Sequence, residues 1–206
     1  MGQFALLASG VVAPLLYIAT DVLLALRWDG YSYRDQTISE LNAIGAPTRP
    51  LSIALGLVGY TLLVAFGAGV WRSAAANRRL RVAGGALVVF AVKALWAVPF
   101  APMHVRGVAR SFSDTLHLVD GATAGLLLLV AVVFAAAALG KRFRIYSIAT
   151  ILVVLAFAAR TGMDGARIAE NLSTPWVGIM ERISVYSYQL WLIVLALALL
   201  RRRAEA

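Results

Sequence analysis

The sequence predicts an all-α, polytopic integral membrane protein built as a bundle of six transmembrane helices. Of its 206 residues, 61% are hydrophobic and 14% are charged, with a mean hydropathy of +0.82. That composition is too apolar for a soluble globular domain. Six apolar stretches each reach the roughly 17 to 25 residues that cross a hydrocarbon core. The alternation at period two that marks a β-barrel strand is absent.

The first three spans have recognisable boundaries. Residues 4–27 are expected to remain as a helix and not to be cleaved as a signal peptide, because no small-residue cleavage site precedes Trp28. Tyr31 and Tyr33 then suggest an interfacial aromatic anchor. Thr37 and Glu40 have the spacing of a capping box, which predicts a short interfacial helix over about residues 38–44. Residues 51–71 and 82–100 form the next two spans, joined by a tight basic turn.

Prolines and capping residues delimit the remaining spans. Pro99 and Pro102 end the third span, and Ser113 is the predicted N-cap of the fourth, residues 114–139. The fifth covers residues 144–162, and Thr174-Pro175 is the predicted cap and first turn of the sixth, residues 177–200. A GxxxG motif at Gly121 and Gly125 predicts helix packing. With no repeat or linker, the chain reads as a single domain over residues 1–206.

Basic residues set the expected orientation. The loops after the second and fourth spans and the C-terminal segment carry ten basic residues, whereas the other three loops carry five. Because positive residues are retained on the cytoplasmic side, both termini are expected there, and loops 28–50, 101–113 and 163–176 outside. The net charge of +9 is thereby explained without nucleic acid as a partner.

Ionisable side chains inside the spans gather at one depth. Asp21, Lys93, Asp120 and Glu181 lie roughly 6 to 11 Å below the predicted outer boundary at about 1.5 Å per helical residue. His117, Arg160 and Arg182 fall in the same layer. Such groups usually face a bundle interior or a wet cavity, so the layer is a candidate site. Lys93 is expected to pair with Asp21 or Asp120.

The candidate catalytic residues are His117, Asp114, Asp120, Lys93 and His104. Asp114, His117 and Asp120 share one helix face through their i, i+3, i+6 spacing. Three interpretations stay open. His117 acts as an acid or base beside a carboxylate, with Lys93 offsetting negative charge; His104, Asp114 and His117 hold a metal ion; or His117 is a satisfied interhelical hydrogen-bond partner. The pattern identifies no cofactor.

The candidate ligand-binding residues are Asp21, Glu40, Arg106, Arg160, Glu181, Arg182 and Tyr186. Arg160 and Asp164 also have the i, i+4 spacing of a local salt bridge. Glu181 and Arg182 are adjacent, so one is expected to point inward and the other to reach the interface. Arg106 suits a phosphate or carboxylate, or simply lipid headgroups.

Four stretches read together resemble a known family. They are Tyr31-Ser-Tyr-Arg-Asp-Gln-Thr-Ile-Ser-Glu-Leu-Asn-Ala-Ile-Gly-Ala-Pro47, Pro102-Met-His-x-Arg-Gly107, Asp114-x-x-His117 and Gly178-Ile-Met-Glu-Arg-Ile-Ser-Val-Tyr186. In this order they resemble the prokaryotic six-helix membrane family called domain of unknown function nine-nine-eight, over nearly the whole chain. The resemblance implies a six-helix integral membrane protein of bacterial type. It implies no established reaction.

Three functions fit these observations. The first is a pocket facing out of the outer leaflet that binds, and hydrolyses or transfers, a lipid or amphiphile with a polar or anionic head held by Arg106 and Arg182. The second is a non-catalytic structural subunit whose polar layer locks the bundle. The third, a proton-coupled small-molecule transporter, is disfavoured because the inner halves of the spans are apolar. Membrane lipids are the expected partners and the plasma membrane the expected location; the oligomeric state is left open.

Overall fold

A computed structural model describes residues 2–204 of the chain, and Met1, Glu205 and Ala206 lie outside the described residues. Seven α-helices and one short 3-10 helix make up the fold. They are α1 (Gln3–Arg27), the 3-10 helix (Ile38–Asn42), α2 (Arg49–Ser73), α3 (Arg78–Phe100), α4 (Phe112–Ala138), α5 (Lys141–Met163), α6 (Gly165–Ala169) and α7 (Val177–Ala204). All of them except α6 and the 3-10 helix are long and apolar enough to cross a membrane, which confirms the six predicted spans.

Helix ends account for the differences from the predicted boundaries. The third span begins at Arg78 and not at residue 82, because the Asn77 side chain caps it by accepting hydrogen bonds from the Arg79 and Leu80 amides. Its first residues are charged, so hydropathy alone placed the start too late. Charged residues also lie at the ends of α2, which begins at Arg49 and has Arg72 in its last turn, so this helix is longer than the predicted residues 51–71.

Two predicted caps are wrong. Ser111, not Ser113, caps α4: its hydroxyl accepts from the Ser113 amide at 3.1 Å, and Asp114 accepts from the Ser111 amide at 2.8 Å. Thr174 does not cap the sixth span, which begins at Val177. Its hydroxyl donates instead to the Asp35 carbonyl, 2.9 Å away in the first long loop. The Thr174 hydroxyl thus makes a hydrogen bond to a distant loop in place of the predicted helix cap.

The spans pack as a ring in chain order. Each of α1 to α5 contacts the next, and α7 closes the ring between α5 and α1. The connections of residues 28–48, 101–111 and 164–176 lie at one end, here called the long-loop end, and the short turns and both termini lie at the other. The buried apolar core includes Phe66, Leu87 and Trp191. It fills the half of the bundle nearer the short turns.

Close helix packing depends on glycines other than the predicted pair. A Cβ on Gly84 of α3 would lie 2.5 Å from the Trp71 backbone nitrogen of α2, so these helices touch backbone to backbone. Around Gly121 and Gly125 a Cβ would meet no atom of the described chain within 4 Å. The interpretation of this GxxxG motif as packing between helices of the chain is therefore wrong.

Those exposed glycines mark where α4 and α5 separate. Near their connecting turn the stripe of α4 that holds Val132 and Ala136 is buried. About two and three turns before Val132 on the same stripe, Gly125 and Gly121 are exposed. The buried residues of α5 also stop at Thr150, in its first half. An open space, here called the α4–α5 cleft, therefore widens toward the long-loop end.

We expect Gly84→Ala to destabilise the bundle and Gly121→Ala to leave it unchanged or stabilise it slightly. At Gly84 the added methyl meets backbone atoms, and overpacking of this kind costs about 1–3 kcal/mol. At Gly121 the added methyl meets no neighbour, so only the higher helix propensity of Ala matters, which stabilises the helix by roughly 1 kcal/mol. Thermal unfolding in one detergent compares the two. Equal losses, or a larger loss at Gly121, would contradict this packing.

Candidate functional site

A buried ion pair joins the first and last spans. Arg182 of α7 binds Asp21 of α1 through two parallel hydrogen bonds, Nε to Oδ2 at 2.9 Å and Nη2 to Oδ1 at 2.8 Å. The two side chains are only 4% and 1% exposed. This fork-to-fork geometry gives the strongest form of carboxylate recognition by arginine. Tyr186 adds a hydrogen bond to Asp21 at 2.5 Å.

The remaining donors of Arg182 are also occupied. Nη1 donates to the carbonyls of Tyr33, Gln36 and Gly178, and Nη2 donates to the Tyr31 hydroxyl. The guanidinium also stacks on Tyr33, 3.5 Å from the ring centre. Tyr31 and Tyr33 therefore surround this arginine. Asp21, Arg182 and Tyr186 together tie the first long loop to the bundle.

A second ion pair holds the three long loops together. Arg106 binds Glu40 with Nε to Oε1 at 2.6 Å and Nη2 to Oε2 at 2.9 Å. Its other bonds reach the Asp35 carbonyl in the first loop and the Thr174 hydroxyl in the third. Burial alone would raise the pKa of Glu40, but hydrogen bonds from Arg106, the Thr37 amide and Gln36 outweigh it, so its pKa is lowered. Both members of the pair are thus engaged within the protein.

Glu181 caps the 3-10 helix. Its carboxylate accepts a short hydrogen bond from the Ile38 amide and another from the Ser39 hydroxyl at 3.2 Å. Thr37 and Glu40 form the predicted capping box at the same helix start. The expectation that either Glu181 or Arg182 reaches the interface is wrong, because the first long loop folds over α7 and offers partners to both.

A cavity of about 280 Å³ lies in the long-loop half of the bundle. Most of its wall is apolar and comes from α1, α2, α3 and the 3-10 helix, with contributions from α4 and α7. Among the candidate residues, Asp21, His117 and Asp120 reach this wall, whereas Glu40, Arg106, Arg160 and Arg182 do not. The polar layer is thus divided between two closed ion pairs and a cavity.

Lys93 and Asp120 form a third, more open ion pair. Lys93 Nζ makes a short contact with Asp120 Oδ1 and a 2.8 Å hydrogen bond to the Asp120 carbonyl. Of the two predicted partners for Lys93, the structure selects Asp120. The two side chains are 23% and 24% exposed, far more than the other two pairs. Asp120 therefore presents to the cavity a carboxylate that is already paired with the positive charge of Lys93.

His117 stands apart from the carboxylates expected to orient it. Its Nδ1 lies 3.2 Å from the Ala101 carbonyl, which only accepts, so Nδ1 carries the proton. Asp114 instead binds His104, through the amide and through Nδ1, each at 2.8 Å. Within residues 2–204 no three His, Asp or Glu side chains lie close enough to hold a metal ion. His117 therefore does not form one cluster with His104 and Asp114.

Arg160 has a local role. It binds Asp164 at 2.6 Å, one turn along α5, and its side chain is 45% exposed. This confirms the i, i+4 salt bridge that the spacing indicated. The pair lies outside the cavity wall.

Several cavity residues escaped the sequence reasoning because they are uncharged. Tyr17, Tyr60, Asn42 and Gln189 all line the wall. Tyr17 precedes Asp21 by one helical turn, and this spacing was the available signal. Asn42 lies in the 3-10 helix, where its amide donates to the Val98 carbonyl at 3.0 Å. Its position at the cavity depends on how the first long loop folds, which no local pattern records.

We expect Asp21→Asn to lower the free energy of unfolding by about 3–5 kcal/mol, because it leaves the buried Arg182 charge unpaired. Adding Arg182→Met to this variant should recover part of the loss. The matched control is Arg160→Met, whose exposed pair contributes no more than about 1 kcal/mol. Unfolding in detergent measures these three variants and Arg182→Met alone. A double variant as unstable as the two single losses added would contradict a coupled pair.

Acid should also weaken the loop assembly through Glu40. Because its pKa is lowered on folding, its stabilisation is complete above the unfolded value of about 4.3 and is lost as pH falls through the folded value. We expect Glu40→Gln to unfold at a lower temperature at pH 7 and to lose less on acidification. Asp35 titrates in the same range, its pKa lowered to about 2 chiefly by the Arg34 hydrogen bond. Unfolding temperature is measured against pH for the wild type and for Glu40→Gln, and the difference between the two curves isolates Glu40. Parallel curves would contradict its role.

Comparison with protein-family models finds one match, described as "Protein of unknown function (DUF998)", over residues 11–198. Curated proteins and solved structures give no match. The matched region contains the cavity and the ion pairs Asp21–Arg182, Glu40–Arg106 and Lys93–Asp120, and it includes nearly all of the six spans. The chain therefore belongs to the DUF998 family, a family of unknown function, as a member with six helices able to cross a membrane.

Proposed function

We propose that the protein binds a membrane amphiphile, with the polar head inside the cavity of the long-loop half and the apolar chain directed toward the membrane. The observation that carries the proposal is the character of the wall. Apolar residues such as Leu16, Leu55 and Leu63 predominate, and a few polar groups converge among them. Ligand sites in proteins have this composition.

The cavity size suits a head and the start of a chain. Its volume of about 280 Å³ lies at the lower end for small-molecule sites. A complete lipid would exceed it, so the rest of the chain needs a way out. Gly121 is an exposed member of the wall and lies at the α4–α5 cleft, which supplies that route.

Binding is better supported than catalysis or transport. His117 has a backbone carbonyl as its partner, and the carboxylates expected to assist it, Asp114 and Asp120, are engaged with His104 and Lys93. A transport path would have to pass the half of the bundle near the short turns, where Phe66, Leu87 and Trp191 are fully buried. A structural role describes the two closed ion pairs well, but not the cavity.

In the proposed orientation the long-loop end is extracytoplasmic, because the short turns and the C-terminal segment carry ten basic residues and the long loops carry five. The ligand would then come from the outer leaflet of the plasma membrane.

We expect Gly121→Phe to reduce the amount of lipid retained by the purified protein, because the ring would occupy the cleft beside the cavity. Folding should persist, since a Cβ at Gly121 meets no atom within 4 Å. The control is Ala122→Phe, at the same depth on an exposed position outside the wall. Native mass spectrometry after delipidation and incubation with lipid vesicles measures retention. Equal retention by wild type and both variants would overturn the proposal.

A further inference from the structure

We infer that the head group recognised in the cavity is an uncharged hydrogen-bond donor, of the hydroxyl-bearing glycerol type, and not a phosphate or carboxylate. This inference rests on the proposed function and narrows its ligand class. The polar groups of the cavity wall, and the charged groups already engaged elsewhere, select this class of head.

Anionic heads lack a cationic partner at the cavity wall. The guanidiniums of Arg182 and Arg106 are held bidentately by Asp21 and Glu40, and that of Arg49 donates to the carbonyls of Asn42 and Pro99. None of these three arginines lines the wall. Lys93 is bound to Asp120 and does not line the wall either. A phosphate would therefore lose its hydration and meet the carboxylates of Asp21 and Asp120. Burying an uncompensated charge in this way is strongly unfavourable.

The wall offers hydrogen-bond acceptors. His117 donates from Nδ1 to Ala101, which leaves Nε2 as an acceptor in the neutral form of the ring. Asp120 adds a carboxylate. Asn42 Oδ1 is not one of these acceptors, because it is buried behind the wall without accessible surface. An acceptor among apolar groups gains from a donor, so a ligand hydroxyl fits this wall.

Hydroxyl groups of the wall complete the match. Tyr17 and Tyr60 line the cavity, and neither phenol has a hydrogen-bond partner among the described residues. Gln189 supplies both a donor and an acceptor. Groups that donate and accept fit a polyol, whose hydroxyls do the same. A cationic head is less suited, because each carboxylate at the wall already has its own cation.

The test uses three ligands that share one oleoyl or oleyl chain: monoolein with a glycerol head, oleoyl lysophosphatidic acid with a phosphate, and oleylamine with an ammonium. Binding to the delipidated full-length protein is measured by native mass spectrometry and by the shift in unfolding temperature. We expect monoolein to bind at least about tenfold more tightly than the other two, which corresponds to about 1.4 kcal/mol.

Variants connect that preference to the wall. Tyr60→Phe removes only a hydroxyl without a partner, so folding should be unchanged while monoolein binds several-fold more weakly. The double variant Tyr17→Phe/Tyr60→Phe, which removes both unpartnered hydroxyls of the wall, should abolish the preference for glycerol. Val58→Ala, at an exposed position of α2 outside the wall, is the control and should alter neither measurement.

The outcomes separate the two claims. Binding of none of the three ligands contradicts the proposed function itself. Equal binding of all three, or preference for the phosphate or the amine, leaves amphiphile binding standing but overturns the inferred head group. Preference for monoolein that persists unchanged in both Tyr60→Phe and Tyr17→Phe/Tyr60→Phe also overturns it, because recognition would then lie elsewhere.

Discussion

The need to neutralise charge inside an apolar bundle determines how this protein is organised. An arginine and an aspartate at membrane depth are tolerated only when each satisfies the other, and Arg182 and Asp21 do so with nearly complete burial. The pair requires α1 and α7 to be neighbours, which closes the ring of helices. It also draws the first long loop down, since Arg182 donates to the carbonyls of Tyr33 and Gln36. Gly178 permits this approach, because a Cβ there would lie 2.2 Å from the Gln36 oxygen.

The folded loop in turn forms the roof of the cavity. Once residues 31–37 are fixed, the 3-10 helix begins at Ile38 under the carboxylate of Glu181, and Asn42 reaches Val98 on α3. Arg106 then joins this loop to the two others through Glu40 and Thr174. The cavity is thus a consequence of the ion pairs even though most of the paired residues do not line it. Stability and the proposed binding depend on different members of the same polar layer.

Sequence reasoning located this layer but did not separate its parts. Hydropathy and the basic turns were sufficient to predict the six spans, because each of these signals lies within or beside the helix that it marks. The common depth of Asp21, Lys93, Asp120 and Glu181 also follows from counting residues. The pairing of these charged side chains does not follow from counting residues. It depends on the order of the helices around the ring and on a loop that folds back through long-range hydrogen bonds. For the same reason Arg106 and Arg182 were assigned to a ligand, whereas Asn42 and Tyr60, which carry no charge, were missed.

The central claim is that the cavity holds an amphiphile while the guanidiniums remain engaged with carboxylates. An experimental structure of the protein in a lipid bilayer tests it most directly. We expect elongated density with its polar end between Tyr60 and His117, and with its chain leaving past Gly121 through the α4–α5 cleft. A cavity containing only water, or Arg182 released from Asp21 to contact a lipid phosphate, would contradict the account.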